Sequence, residues 1–324
     1  MGSDKRIKFG KKSTMDAAKK KQLEKQGYRL VGDHSAVKVC EWTRKALKKE
    51  NVCYKCDFYG IRSWRCVQMT PALTTCTHRC VWCWRDIAHT EPKWQGEAES
   101  PEKIIDGCIQ AHKKLLYGFK GNEKTDKKRY AEAMQPMHFA ISLSGEPTMY
   151  PKLPQLVDAL KKRGITSFIV TNGTNPAMLK KLIRHQPTQL YLTLPAPDEK
   201  IYKKSCAPLI KGSWKKILQS LKLLKKFKRT AIRLTLVKGI NFVNPEGYAK
   251  LIKFANPNFV ELKAYMAVGY SRERLGVSFM PTHKEIFEFA KKVAKAAGLK
   301  IIKQKKESRV VLLMKRGVKS RKLF

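Results

Sequence analysis

His138-Phe-Ala-Ile-Ser-Leu-Ser144 runs directly into Gly145-Glu146-Pro147-Thr148. The apolar run reads as a strand. Gly145 reads as a turn that lets backbone approach a ligand closely, and 153–163 as a helix closed by Gly164. The unit then repeats. Strands are expected over 167–171, 189–194, 230–237 and 259–264, and helices over 176–185, 214–227, 245–255 and 283–297. Such alternation builds a parallel sheet with helices outside it. Upstream, Ile104, Ile105, Cys108, Ile109 and Leu115 share one face of a helix over 101–117, and 118–130 reads as a charged loop. One more strand is expected before Cys76, and two short strands over 299–302 and 309–314 follow the last helix. The fold class is therefore α/β, an incomplete (β/α)6 barrel. Its open side admits a large substrate, and its active residues stand at the C-terminal ends of the strands. Three segments are expected: a basic N-terminal extension over 1–66, the partial barrel over 67–300 and a basic strand and tail over 301–324. Within the first, 15–28 suits either a basic helix or an arm.

The first strand leads to Cys76-Thr-His-Arg-Cys80-Val-Trp-Cys83. Three thiolates so close on one loop can hold three irons of a 4Fe-4S cluster, leaving the fourth iron open to a small molecule. The spacing departs from the paired knuckles of a zinc site, and the next cysteine is Cys108. Half a zinc site, or three unrelated core thiols, is the competing reading. Ser144, Gly145 and Glu146 follow one expected strand, and Thr171, Asn172 and Gly173 follow the next. Either peptide alone is a common turn. Together they face the end of the barrel where the cysteine loop lies, and Glu146 offers an acceptor to an ammonium group.

Lysine and arginine number 68 against 26 acidic residues, a formal net charge of +42. A high-temperature lifestyle would enrich glutamate as well as lysine. A polyanion partner accounts for the imbalance, because lysines and arginines that neutralise phosphates release counterions. No apolar run is long enough for a membrane span, and the N-terminus lacks the apolar core of a secretory signal. The nine cysteines are thus expected in a reducing cytoplasm, where clustered thiols serve metals more often than disulfides.

On these residues the chain resembles the radical S-adenosylmethionine (SAM) enzymes, and within them the tRNA 4-demethylwyosine synthases of wybutosine biosynthesis. The likeness runs from Cys40 to about Leu313. It rests on the cysteine loop, the peptides at 144–148 and 171–173, Glu261-Leu-Lys-Ala-Tyr-Met-Ala-Val-Gly-Tyr-Ser271, and the evenly spaced Cys40, Cys53 and Cys66. The resemblance implies two 4Fe-4S clusters, one on Cys76, Cys80 and Cys83 and a second on Cys40, Cys53 and Cys66. It implies SAM chelated at the open iron, cleaved to a 5′-deoxyadenosyl radical. It also implies condensation of N1-methylguanosine-37 of tRNA-Phe with pyruvate. Lys55 matches a lysine proposed to form an imine with the keto acid; the alternative is pyruvate chelated at an open iron of the second cluster. Ser144, Gly145, Glu146, Thr171 and Asn172 are expected around SAM, with Arg233, Thr235 and Val268 carried over for its ribose, carboxylate and adenine. The chain is expected to act as a monomer with an external flavodoxin- or ferredoxin-type electron donor, as stand-alone archaeal members do.

Read on their own, the upstream cysteines leave alternatives open. Cys53-x2-Cys56 is also half a zinc motif, so Cys56 is either a bystander or a fourth ligand. Cys108 and Cys206 read as structural. Trp42, Trp64, Trp82, Trp84 and Trp94 suit either base stacking or core packing. Three other functions compete. A radical methylase needs a late cysteine, and none follows Cys206. A methylthiotransferase carries its extra cluster on a longer N-terminal domain. A zinc-dependent RNA-binding protein would need no reaction at all.

Overall fold

The computed structural model describes Met15 and residues 17–324. Residues 1–14, the start of the basic extension, lie outside the described residues. Ten strands form one sheet: β1 (Tyr28–Val31), β2 (Ser35–Lys38), β3 (Cys66–Thr70), β4 (His138–Ile141), β5 (Thr166–Thr171), β6 (Gln189–Thr193), β7 (Thr230–Leu236), β8 (Phe259–Ala264), β9 (Lys300–Lys305) and β10 (Val310–Met314). Their order is β1-β2-β3-β4-β5-β6-β7-β8-β10-β9. From β3 to β8 every neighbouring pair is parallel, giving the six strands of the expected partial barrel. These strands are largely buried, as strands covered on both faces must be.

The parallel run does not close on itself. Antiparallel strands cover both of its edges, β2 against β3 and β10 against β8. This satisfies the backbone groups that an open parallel edge would present. The β1–β2 hairpin was not expected, because its residues lie in a lysine-rich stretch with little apolar alternation. The helix Lys127–Ala133 also begins inside what read as a charged loop over 118–130. Asp126 caps it by accepting from the Arg129 amide at 2.8 Å. Arg129 in turn donates to the Ala46 carbonyl at 2.7 Å, with its guanidinium over the Trp64 ring. Neither anchor is visible in local sequence. The sheet also runs through both expected segment boundaries, since β3 starts at Cys66 and β9 spans Lys300–Lys305.

The segment ahead of β3 folds back into the barrel. The helix Tyr54–Tyr59 buries Tyr54, Phe58 and Tyr59 against Phe168, Tyr191 and Phe259. Gly60 ends this helix in the left-handed conformation at φ 75°, and the C-terminal residues strap across it, Leu323 donating to the Tyr59 carbonyl at 2.8 Å. At its centre Glu261 of β8 is 0% exposed. Its carboxylate accepts from Tyr54 at 2.9 Å, Tyr59 at 2.7 Å and the Arg233 guanidinium at 3.0 and 3.1 Å. A buried carboxylate is tolerable only with such partners. Removing it strands a buried guanidinium, so Glu261→Ala is expected to cost about 3–5 kcal/mol of stability. Chemical denaturation checks this, and an unchanged midpoint would show that the ion pair does not seat the helix.

Candidate active site

The loops at the C-terminal ends of β3, β4 and β5 are tied to one another. Gly145 has φ +67°, and a Cβ there would lie 1.7 Å from the Ala72 carbonyl oxygen. Ser144 Oγ donates to the Leu73 carbonyl at 3.1 Å, and the Glu146 amide donates to the Thr75 carbonyl at 2.7 Å. The glycine is therefore required for close approach to the backbone leading into Cys76. Glu146 is likewise engaged with neighbouring loops. Its buried carboxylate accepts from Thr148 Oγ1 and Thr171 Oγ1, both at 2.6 Å, and from the amides of Thr148 and Asn172. Burial pushes its carboxyl pKa up, and these donors oppose that shift. Most of its acceptor capacity thus holds the loops after β4 and β5 in register. Asn172 Nδ2 completes the lattice by donating to Thr77 Oγ1 at 2.9 Å, 3.8 Å from Cys76 Sγ.

One cavity is lined by Cys76, Cys80 and Cys83 together with Ser144, Gly145, Glu146, Thr171 and Asn172. Burial pushes the Cys76 thiol up to about 12, and the nearby Arg85 guanidinium works against it. Arg85 is the residue that sequence reading missed. It is 8% exposed, donates to Thr90 Oγ1 at 3.0 Å and to the His78 carbonyl at 3.3 Å, and acts electrostatically on all three thiols. Its only sequence signal is adjacency to Cys83-Trp84. Arg274 donates to the carbonyls of Val81 and Cys83 and holds the far end of the loop. His78 donates or accepts at Tyr202 Oη at 2.7 Å, and burial pushes its pKa down to about 3, so it is neutral and shapes the loop. Cys206 also differs from expectation. It lines the same cavity, and its carbonyl accepts from the Arg79 amide at 2.9 Å.

The donor set fits an iron–sulfur cluster. Three thiols converge on one cavity, they are too desolvated to ionise unaided, and a buried cation stands ready to balance a metal–thiolate group. Arg233 is placed elsewhere, bound to Glu261 and to Tyr54 Oη, and is absent from the cavity wall. Thr235 pairs in register with Lys263 within the barrel, and Val268 is 47% exposed on the loop after β8. Neither of them lines the cavity.

The second thiol group stands apart from the first. Cys40 and Cys53 directly precede the helices Glu41–Leu47 and Tyr54–Tyr59, and Cys66 opens β3. Cys40 and Cys56 act on the ionisation of both Cys53 and Cys66. Backbone amides favour each thiolate, those of Trp42 and Thr43 at Cys40, Lys55 at Cys53 and Ala140 at Cys66. Desolvation still dominates and pushes Cys66 up to about 12, which again suits metal-bound rather than free thiols. Lys55 is buried beside them, its ammonium 5.1 Å from the Phe168 ring centre and 4.6 Å from that of Tyr191. Burial, and then Arg233, push its pKa down. Cys56 is held by Ser63.

Six βα units open on one side, with a three-thiol loop after the first strand, define a radical SAM enzyme. A family model described as the radical SAM superfamily matches residues 71–252, and one described as wyosine base formation matches 254–315. The S-adenosyl-L-methionine-dependent tRNA 4-demethylwyosine synthase of Pyrococcus abyssi is 48% identical over 305 residues, 91% of this chain and 88% of the relative. That of Methanocaldococcus jannaschii is 41% identical, over 90% of this chain and 94% of the relative. The structure of archaeal TYW1 superposes with a TM-score of 0.79 at 35% identity, covering 96% of this chain and all of the other. A structure of TYW1 with a lysine-pyruvate adduct bound gives 0.84 at 39% identity, covering 93% and 96%. The chain belongs to the tRNA 4-demethylwyosine synthase family. Membership brings SAM and a 4Fe-4S cluster. Among the described residues no helix is long and apolar enough to cross a membrane.

Alanine at Cys76, Cys80 or Cys83 is expected to abolish reductive SAM cleavage, measured as 5′-deoxyadenosine. Normal cleavage by any of the three would dismiss this loop as the cluster site.

Proposed function

We propose that this chain condenses N1-methylguanosine-37 of tRNA-Phe with pyruvate to form 4-demethylwyosine, using a second 4Fe-4S cluster on Cys40, Cys53 and Cys66. The observation that carries the reading is Lys55, a desolvated lysine inside the barrel beside Cys53. A solved relative, 39% identical, carries a lysine-pyruvate adduct, and a buried lysine beside a thiol group suits that chemistry.

When bound at the Cys76 loop, SAM and its reduced cluster supply the 5′-deoxyadenosyl radical that takes hydrogen from the N1-methyl group. Ser144, Gly145, Glu146, Thr171 and Asn172 are the residues we assign to the cofactor's surroundings. Glu146 and Gly145 act by holding the loops, while the exposed backbone and Asn172 face the cavity. The Lys55 amine, whose ammonium form burial disfavours, adds to the keto carbon of pyruvate, and water leaves as the imine forms. Arg233 keeps that site in shape by clamping Tyr54, one residue before Lys55, to Glu261.

Charge supports the RNA partner. The helix Ala17–Lys25 carries Lys19, Lys20, Lys21 and Lys25, and it docks on the side of the cysteine loop. Lys19 pairs with Asp86 at 2.7 Å, and Gln22 donates to Tyr270 Oη at 2.5 Å. A basic helix beside the mouth suits the phosphates of an anticodon loop. We assign the electron donor to a separate flavodoxin- or ferredoxin-type protein and the working unit to a cytoplasmic monomer.

Three measurements test the reading. Alanine at Cys40, Cys53 or Cys66 is expected to leave SAM cleavage measurable while stopping tricycle formation, and full product from these variants would remove the second cluster from the reaction. Lys55→Met is expected to abolish both borohydride trapping of pyruvate and product. Affinity for tRNA should fall steeply between about 50 and 200 mM salt. A flat dependence would mean that the +42 charge serves another partner.

A further inference from the structure

Lys263 has no part in the reading above. It follows Glu261 by two residues on β8, so both side chains point into the barrel. Its ammonium donates to the Ser308 carbonyl at 2.9 Å. Among the described residues no carboxylate pairs with it, because Glu261 is taken by Arg233 and two tyrosines. The groups acting on it are Arg233, Cys53, Glu261 and Cys40, and those acting on Lys55 are Arg233, Glu261, Cys53 and Cys66. Two lysines therefore approach Cys53 and share one ion pair.

Arg233 holds Glu261 at 3.0 Å, which leaves the Lys263 ammonium on a backbone carbonyl with no carboxylate of its own among the described residues. A half-buried ammonium so placed favours an anion. Two hydroxyls there also lack partners. Tyr191 Oη is wholly buried beneath Lys55, and Ser308 Oγ, 2% exposed, adjoins the carbonyl that Lys263 holds. Burial, and then Arg233, push Lys263 down to about 8, so the ammonium form prevails at neutral pH.

We infer that Lys263 is an anion subsite that takes the carboxylate of the α-keto acid whose keto carbon Lys55 captures. The inference rests on the imine reading of Lys55. A keto acid carries its carboxylate one bond from the keto carbon, so an amine and an ammonium converging on one small molecule match its two ends.

The test compares pyruvate with neutral pyruvamide in borohydride trapping, and measures the pyruvate KM for product, in wild type, Lys263→Met and Lys263→Arg. Iron content and SAM cleavage report folding. Losing one charge-assisted hydrogen bond should raise the pyruvate concentration for half-maximal trapping, and the KM, about 10- to 100-fold in Lys263→Met. Pyruvamide trapping should stay unchanged, and Lys263→Arg should recover much of the loss. Equal pyruvate dependence in wild type and Lys263→Met, or an equal loss with pyruvamide, overturns the subsite. If wild type traps nothing, the imine reading falls. The subsite is then judged by the KM alone, which must still rise in Lys263→Met and be restored by arginine.

Discussion

One buried carboxylate organises the interior of this molecule. Glu261 gathers Tyr54, Tyr59 and Arg233 around itself, and in doing so draws the helix Tyr54–Tyr59 into the barrel from the N-terminal ends of the strands. Cys53 and Lys55 belong to that helix or its first turn, so their depth follows from this knot. An open parallel sheet has no core of its own on its concave side. Here the aromatic face of the inserted helix supplies one, with the Glu261 network set within it.

The two thiol groups are balanced by different means. At the Cys76 loop, a single guanidinium, Arg85, faces three cysteines and is fixed by a threonine and a carbonyl. At the second group, Cys40, Cys53 and Cys66 meet Lys55, Lys263 and the Arg233–Glu261 pair. The first arrangement suits a metal–thiolate group that leaves an open face to a zwitterionic cofactor. The second includes an ammonium, Lys263, with no carboxylate of its own among the described residues, which suits an acid substrate. Electrostatics alone thus divides the barrel into two chemical regions, the outer one on loops and the inner one on strands and an inserted helix. Loops tied by many short hydrogen bonds hold the outer group as firmly as strands hold the inner one.

Much of this was legible in the chain. The helices at Pro245–Ala255 and His283–Ala297 and the strand Phe259–Ala264 stand where periodicity placed them, because each carries its own cap or apolar repeat. The cysteine loop and the two peptides after β4 and β5 were equally readable, since their spacing is local and the ends of successive strands must be neighbours. The loop contacts of Gly145 and Glu146 were not, since their partners, Ala72, Thr75, Thr171 and Asn172, come from other loops. Arg233 is the same case, since its partner is across the sheet on β8.

What the sequence by itself determined is therefore the class of fold, the order of its units and the identity of the thiols, all encoded by short-range pattern. What only the tertiary structure decided is where charge is buried and against what. Arg85, Lys263 and Cys206 look like ordinary residues in a chain with 68 lysines and arginines and nine cysteines. They become distinct only when folding removes water from them and sets them beside particular partners. The energy of a charge depends on its surroundings, and those surroundings come from segments far apart in the chain.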